Sequence, residues 1–203
     1  MNKGEKYDYM LKNIKDDELG LFEKYEEILN EIREIILTYN AEAVLDIGCG
    51  TANLCGPISR KIKVIGIDKN EEMLLQAKKK YPKMSLKQGD FLDKPFEEEI
   101  ADIIVTTLVF HAITNKKLAL ENMIKYLKPN GKIVIADYMF LNEEERENCK
   151  RVLLEAGKKE LWDFINSKNY TNVEMLEDYV ETLGYKFRAK HIINFTWLVE
   201  IEI

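Results

Sequence analysis

Histidine is almost absent from this chain of 203 residues, which holds two, and there are only three cysteines. Cys49, Cys55 and Cys149 are odd in number and show no metal-ligand spacing. With so few soft ligands a His/Cys metal centre is disfavoured, and no metal site is expected. The same cysteine usage makes a reduced, cytoplasmic protein the default. No apolar run approaches the roughly 20 residues that a membrane span needs, so no membrane partner is expected. Residues 1–20 carry too many charges for a secretory signal. Only four prolines occur, and no stretch is rich in Pro, Gly or Ser. Without a linker, a single domain over 1–203 is expected, with a helical or lid segment at 1–40 ahead of an α/β core at 41–203. A surplus of basic charge is also lacking: the net charge is -6. Such a chain gains little by neutralising phosphates, so nucleic acid is disfavoured as a partner. Lys78-Lys79-Lys80 is the single basic run and reads as a solvated helix face.

What the chain does contain is ordered periodicity. Between residues 21 and 39 the apolar positions Leu21, Phe22, Tyr25, Ile28, Leu29, Ile32, Ile35 and Ile36 follow helical spacing, with Asn40 as a stop. Short apolar runs then alternate with helical ones. Strands are predicted at 43–47, 63–67, 85–88, 101–107 and 132–136. Helices are predicted at 54–61, with Pro57 in the first turn, and at 70–81 and 115–127. Strands this apolar imply a mostly parallel sheet covered on both faces. Helices follow at 143–166 and 173–183, the latter capped by Thr171 or Asn172. Two final strands, 185–191 and 195–203, are joined by Ile192-Ile193-Asn194, a link short enough for an antiparallel hairpin.

The first strand runs into VLDIGCGTANL, residues 44–54. Gly48 and Gly50 lack a Cβ and allow positive φ and close approach of a ligand. A dinucleotide fingerprint would place a third glycine where Asn53 stands. Asp46 would repel a pyrophosphate and attract an ammonium or sulfonium ion. Asp68 ends the second strand, 18 residues beyond Gly50, where an acid accepts from ribose hydroxyls. After the third strand, Asp90 can accept from an exocyclic amine and Phe91 can pack on an adenine ring, with Met73 over its other face.

Taken in order, DIGCGTANL (46–54), GID (66–68), GDF (89–91), ADIIVTTLVFH (101–111) and LKPNGKIVIAD (127–137) resemble the motifs of class I S-adenosylmethionine-dependent methyltransferases. Tyr7-Asp8 and Phe195-Thr196-Trp197 extend the likeness to the uncharacterised YrrT-type bacterial methyltransferases. The resemblance implies a Rossmann-like, seven-stranded, mostly parallel α/β sheet with a C-terminal antiparallel β-hairpin. It implies S-adenosyl-L-methionine as cofactor, with Asp46, Gly48 and Gly50 around its methionine end, Asp46 near the ammonium. Asp68 would hold the ribose diol, Asp90 and the Phe91 backbone the adenine, and Thr106 or Thr107 the fourth-strand side.

A sulfonium is already a good leaving group, so alignment and exclusion of water supply most of the catalysis. A base is needed only if the acceptor must lose a proton. His111, Asp137 and Tyr138 are the candidates, with capping or packing as the plainer role for the first two. Tyr7 and Tyr9 form either a lid over the cofactor or a frayed terminus. Trp162, Phe195 and Trp197 read as core. After the fourth strand stands Thr107-Leu108-Val109-Phe110, not Asn-Pro-Pro-Tyr, and no cysteine, which counts against the amide, adenine and cytosine C5 branches. The acidic pair of magnesium-dependent members is also missing. A small-molecule acceptor remains. The alternatives are a regulatory module that binds the nucleoside without transfer, an RNA methyltransferase and, remotely, a nicotinamide oxidoreductase. Neither the acceptor nor the oligomeric state is encoded in a readable motif.

Overall fold

The computed structural model describes residues 1–14, 17 and 22–203. Helices α1 (Lys3–Lys12) and α2 (Tyr25–Thr38) precede the first strand. Strands β1 (Ala43–Ile47), β2 (Lys63–Asp68) and β3 (Ser85–Gln88) follow, with α3 (Glu71–Lys80) between the last two. Next come β4 (Ala101–Thr107), α4 (Lys116–Tyr126) and β5 (Leu127–Phe140). The chain continues through α5 (Glu143–Glu155), α6 (Lys159–Asn166), β6 (Thr171–Asn172) and α7 (Val173–Thr182), and ends in β7 (Lys186–Ile193) and β8 (Thr196–Glu202).

The main sheet has the order β3-β2-β1-β4-β5-β8-β7, with β6 paired beside β5. The strands β1 to β5 pair in parallel, and β8 runs antiparallel to both β5 and β7. The expected seven-stranded arrangement is therefore present, with the two-residue β6 as an unexpected addition. Its second residue, Asn172, is also the N-cap of α7, accepting from the Met175 amide. The chain crosses from β3 back over β1 to reach β4, so the topological switch lies between β1 and β4.

Alternation along the strands divides the core. Leu45, Ile104, Ile133 and Ile135 face α4 and α7, against Leu120, Met123, Leu176 and Val180. Val44, Ile103, Val105 and Val134 face α2 and α3, against Leu29, Ile32, Ile36 and Leu74. Both faces of the central strands are covered, so β1, β4 and the second half of β5 are mostly apolar. The edge strand β7 carries Lys186, Arg188 and Lys190, charges that discourage a further strand from adding.

Several boundaries differ from the sequence pattern. The helix predicted from Leu21 begins at Tyr25; Leu21 lies outside the described residues, and Phe22–Lys24 form the turn ahead of it. Asn40 does end the segment, with a left-handed φ of 57°. The helix predicted at 54–61 is a single 3-10 turn, Gly56–Ile58. Pro57 lacks an amide donor, and the Tyr81 ring lies 2.2 Å from where a Gly56 Cβ would be. The helix at 143–166 is two helices, broken where Gly157 takes φ 72°. The hairpin link is Asn194-Phe195, with Asn194 at φ 49°, because β7 extends to Ile193.

The N-terminal segment forms α1, opened by a reciprocal capping box between Asn2 and Glu5. It lies on α3. A Cβ on buried Gly4 would stand 2.7 Å from Gln76 Cβ and 2.8 Å from the Glu72 carbonyl, so only glycine permits this approach. The basic run is part of the same seam rather than a merely solvated face: Lys79 pairs with Glu5 at 3.1 Å and Lys80 with Asp8 at 3.0 Å. Replacing Gly4 by leucine is expected to lift α1 from α3 and leave the sheet intact. Amide exchange in residues 3–12 should then accelerate by about tenfold or more, with β4 and β5 unchanged; unaltered exchange in α1 would show that the seam does not hold it.

Candidate active site

The turn after β1 is shaped by backbone conformation. Gly48 (φ 69°) and Gly50 (φ 53°) are left-handed, as is Ala52 (φ 61°). The amides of Gly48 and Cys49 both donate to the Ile67 carbonyl, at 2.8 and 3.1 Å, which carries the turn over the end of β2. A Cβ on Gly48 would meet Val109 Cγ2 at 2.3 Å. Gly48 is thus required both by φ and by the side chain that crosses it.

Three carboxylates stand at the ends of β1, β2 and β3. Asp46 is 2% exposed, and its Oδ2 has no hydrogen-bond partner. Burial pushes its carboxyl up to about 7, with help from the nearby Asp68 charge; hydrogen bonds from Cys55 oppose the shift. Asp68 accepts from the Gly50 amide at 2.9 Å through Oδ2 and from the Asn70 amide at 2.8 Å through Oδ1. Each oxygen keeps a further acceptor site. Asp90 accepts from the Leu92 amide at 3.0 Å and pairs with Lys69 at 2.6 Å. Partial burial would raise its carboxyl, but Lys69 and the Leu92 amide outweigh this and hold it below the ordinary range.

Two adjoining cavities share Gly48, Asp68 and Val109. The smaller, about 190 Å³, is lined by Tyr7, Asp46, Gly50, Met73, Thr107 and Leu108 among others. The larger, about 450 Å³, is lined by Asp90, Phe91, Leu92 and Ile113 among others, a size suited to a small ligand. Most of the predicted residues therefore converge on one crevice. Thr106 does not: it is fully buried within β4 and lines neither cavity, because strand alternation turns it away from Thr107. Met73 and Phe91 do not face each other across one space. Met73 packs toward Gly50, in the smaller cavity, while the Phe91 ring is 5% exposed and belongs to the core. Val109 and Ile113 are the apolar walls that periodicity did not single out, since they follow β4 in an irregular segment.

Beside this crevice, the 3-10 turn Phe110–Ala112 carries His111. Its Nδ1 lies 2.7 Å from Asp137 Oδ1, and its amide donates to Asp137 Oδ2 at 3.0 Å. The fully buried Asp137 carboxylate also accepts from the Tyr138 amide. A carboxylate on Nδ1 favours the tautomer with its proton there, leaving Nε2 as an acceptor. Asp137 thus caps the turn and orients the imidazole at once. Lys116 braces the same turn: Nζ donates to the Phe110 carbonyl at 2.7 Å and to the Ile113 carbonyl. Burial lowers the Lys116 ammonium to about 8, despite the attraction of Asp137. The imidazole centroid lies 5.3 Å from Tyr138 and 6.0 Å from Tyr170. Tyr138 and Phe195 are buried, in a cluster with Phe140 and Trp162. Trp197, packed against the main core, stands 5.0 Å from His191.

Helix α1 closes the smaller cavity. Asp8 accepts from Thr51 Oγ1 at 2.6 Å, Gln76 Nε2 at 3.1 Å and Lys80. Partial burial disfavours its charge, yet these donors hold the carboxyl below its ordinary value. Tyr7 lines this cavity together with Tyr25 and with Asn53 of the glycine turn. Tyr9 is exposed and lines neither cavity. Among the described residues no group of three His, Cys, Asp or Glu could hold a metal ion, and no helix is long and apolar enough to cross a membrane.

The pattern has counterparts. Residues 39–172 match the family described as the methyltransferase domain. An uncharacterised methyltransferase of Anoxybacillus flavithermus is 31% identical over 98% of this chain and 93% of its own length. One from Alkaliphilus oremlandii is 32% identical, over 95% and 90%. Among solved structures, the plantazolicin methyltransferase BpumL, in complex with a monoazolic desmethylPZN analogue and SAH, superposes with a TM-score of 0.68 at 18% identity, covering 98% of this chain and 89% of that one. The YcgJ protein of Bacillus subtilis gives 0.63 at 18%, covering 80% and 70%. At such identities these two likenesses concern the fold.

Asp46 yields a stability prediction. Unfolded, its carboxyl titrates near 3.8; folded, near 7. Between these values the folded chain holds the extra proton, so the contribution of Asp46 to stability is greatest below 3.8 and is lost as pH rises through 7. Asp46→Asn removes this dependence. The stability of wild type relative to the variant should fall by roughly 2–4 kcal/mol between pH 4 and 8 in urea unfolding; a flat difference would mean that the carboxylate is not buried unpaired.

Proposed function

The chain belongs to the methyltransferase domain family, and from that premise we propose that it moves a methyl group from S-adenosylmethionine to a small-molecule acceptor. One observation carries the reading: a buried carboxylate with an unpaired oxygen, Asp46, and a second with spare acceptor sites, Asp68, flank a turn of bare left-handed backbone. When bound, S-adenosylmethionine supplies a methyl group already activated on a sulfonium.

Asp46 and the backbone at Gly48 and Gly50 hold the methionine end, and the ligand's ammonium gives the unpaired Asp46 oxygen its partner. Asp68 takes the ribose diol on the acceptor sites left free by Gly50 and Asn70. Asp90 and the Phe91 backbone receive the adenine edge. Thr107 lines the fourth-strand side, and Tyr7 covers the cavity and excludes water. His111, its Nδ1 occupied by Asp137, is placed to take the acceptor's proton at Nε2. The net charge of -6 favours a small acceptor over a nucleic acid.

Calorimetric titration with S-adenosylmethionine tests the site. Asp68→Ala should weaken binding by about 10- to 100-fold, since it removes a charged acceptor and unties Gly50. His111→Ala should leave the affinity within about twofold while it slows formation of S-adenosylhomocysteine in an acceptor screen by roughly 100-fold or more. Wild-type affinity in Asp68→Ala would refute the cofactor assignment.

A further inference from the structure

Resting on that reading, we propose that the methyl acceptor is a small amine, received as its ammonium ion at the aromatic wall around His111 and deprotonated there. The wall is built from rings. Tyr138 and Tyr170 stand 5.3 and 6.0 Å from the imidazole, and edge-to-face with each other at 6.3 Å. Phe195 backs both tyrosines, at 5.6 and 6.0 Å. His111 and Tyr170 remain partly exposed at the rim, as do Leu108 and Tyr7 toward the cofactor crevice. Ring faces are electron-rich and attract an organic cation within about 6 Å.

Charge points the same way. Asp137 is buried beneath His111, and its negative charge acts on both the Tyr138 and Tyr170 phenols. Burial keeps Tyr138 neutral and pushes Tyr170 up to about 12, so neither becomes a phenolate. Of the neighbouring cations, the Lys116 ammonium is taken up by the Phe110 and Ile113 carbonyls, and Arg146 sits over the Trp162 ring and pairs with Glu143. A carboxylate or phenolate acceptor would meet repulsion here, and a neutral alcohol would gain nothing from the charge.

The step balances. An ammonium nitrogen has no lone pair to offer. His111 Nε2 takes one of its protons, and the resulting amine forms a bond to the methyl carbon as the carbon–sulfur bond breaks, its electron pair staying on sulfur. The product is the methylated ammonium ion, and His111 returns its proton to water. Asp137 stabilises the imidazolium formed in between.

The test uses the whole chain loaded with S-adenosylhomocysteine, titrated with benzyltrimethylammonium, with its neutral isostere neopentylbenzene, and with phenylacetate. The cation should bind about tenfold more tightly than the neutral probe or more, and phenylacetate most weakly. Asp137→Asn and, at the rim, Tyr170→Leu should each reduce that preference toward parity while S-adenosylhomocysteine binds as before. Equal binding of cation and neutral probe, or tighter binding of phenylacetate, overturns the amine assignment. Failure of the wild-type chain to bind S-adenosylhomocysteine overturns the cofactor reading instead, so the two failures are told apart.

Discussion

Parallel pairing of β1 with β2 on one side and β4 on the other leaves the carboxyl ends of three strands side by side, at the point where the chain changes direction across the sheet. The connections leave that edge in opposite senses, so no element fills the gap between them. Asp46, Asp68 and Thr107 reach the gap because they sit at or next to the ends of these strands. The glycine turn lies over it because Gly48 and Cys49 bond to the Ile67 carbonyl and Gly50 bonds to Asp68. The remaining features of the site are additions to this edge.

Asp46 shows how function and stability oppose each other here. A carboxylate buried with one oxygen unpaired weakens the ligand-free fold. The same unpaired oxygen is an acceptor left open beside the glycine turn. Asp68 is the complement: its backbone donors already hold it in place, so it is preorganised without being saturated. Asp137 extends the principle to the other side of the crevice, where one buried carboxylate serves a turn amide, an imidazole and the next backbone amide together.

The elements outside the sheet decide what can enter. Helix α1 adds Tyr7 to the smaller cavity, and Asp8 anchors it to Thr51 in the glycine turn itself. Closure of the site and conformation of the glycine turn are therefore mechanically joined. On the far side, the rings of Tyr138, Tyr170 and Phe195 come from β5, the approach to β6 and the β7–β8 link, three segments that meet only because β8 returns antiparallel to β5.

The strand–helix alternation, the placing of Gly48 and Gly50 at a strand end, and the acids at Asp46, Asp68 and Asp90 were legible in the sequence, because each is a local pattern: a hydrophobic period, a residue without a Cβ, a charge where a strand stops. Position in the chain said less about features that depend on neighbours. It set Phe91 against Met73, yet the Phe91 ring packs in the core and Met73 packs toward Gly50. It could not choose between Thr106 and Thr107, which strand alternation separates. Nor could it see that Asp8 meets Thr51 across 43 residues and Lys80 across 72, or that His111 finds Asp137. Local chemistry by itself determined the glycine turn and the acids at the strand ends; the pairing of distant carboxylates with their donors, and the ring cluster around His111, were decided only when the sheet brought those segments together, since hydrogen bonds and ring contacts depend on distance in space and leave no period in the chain.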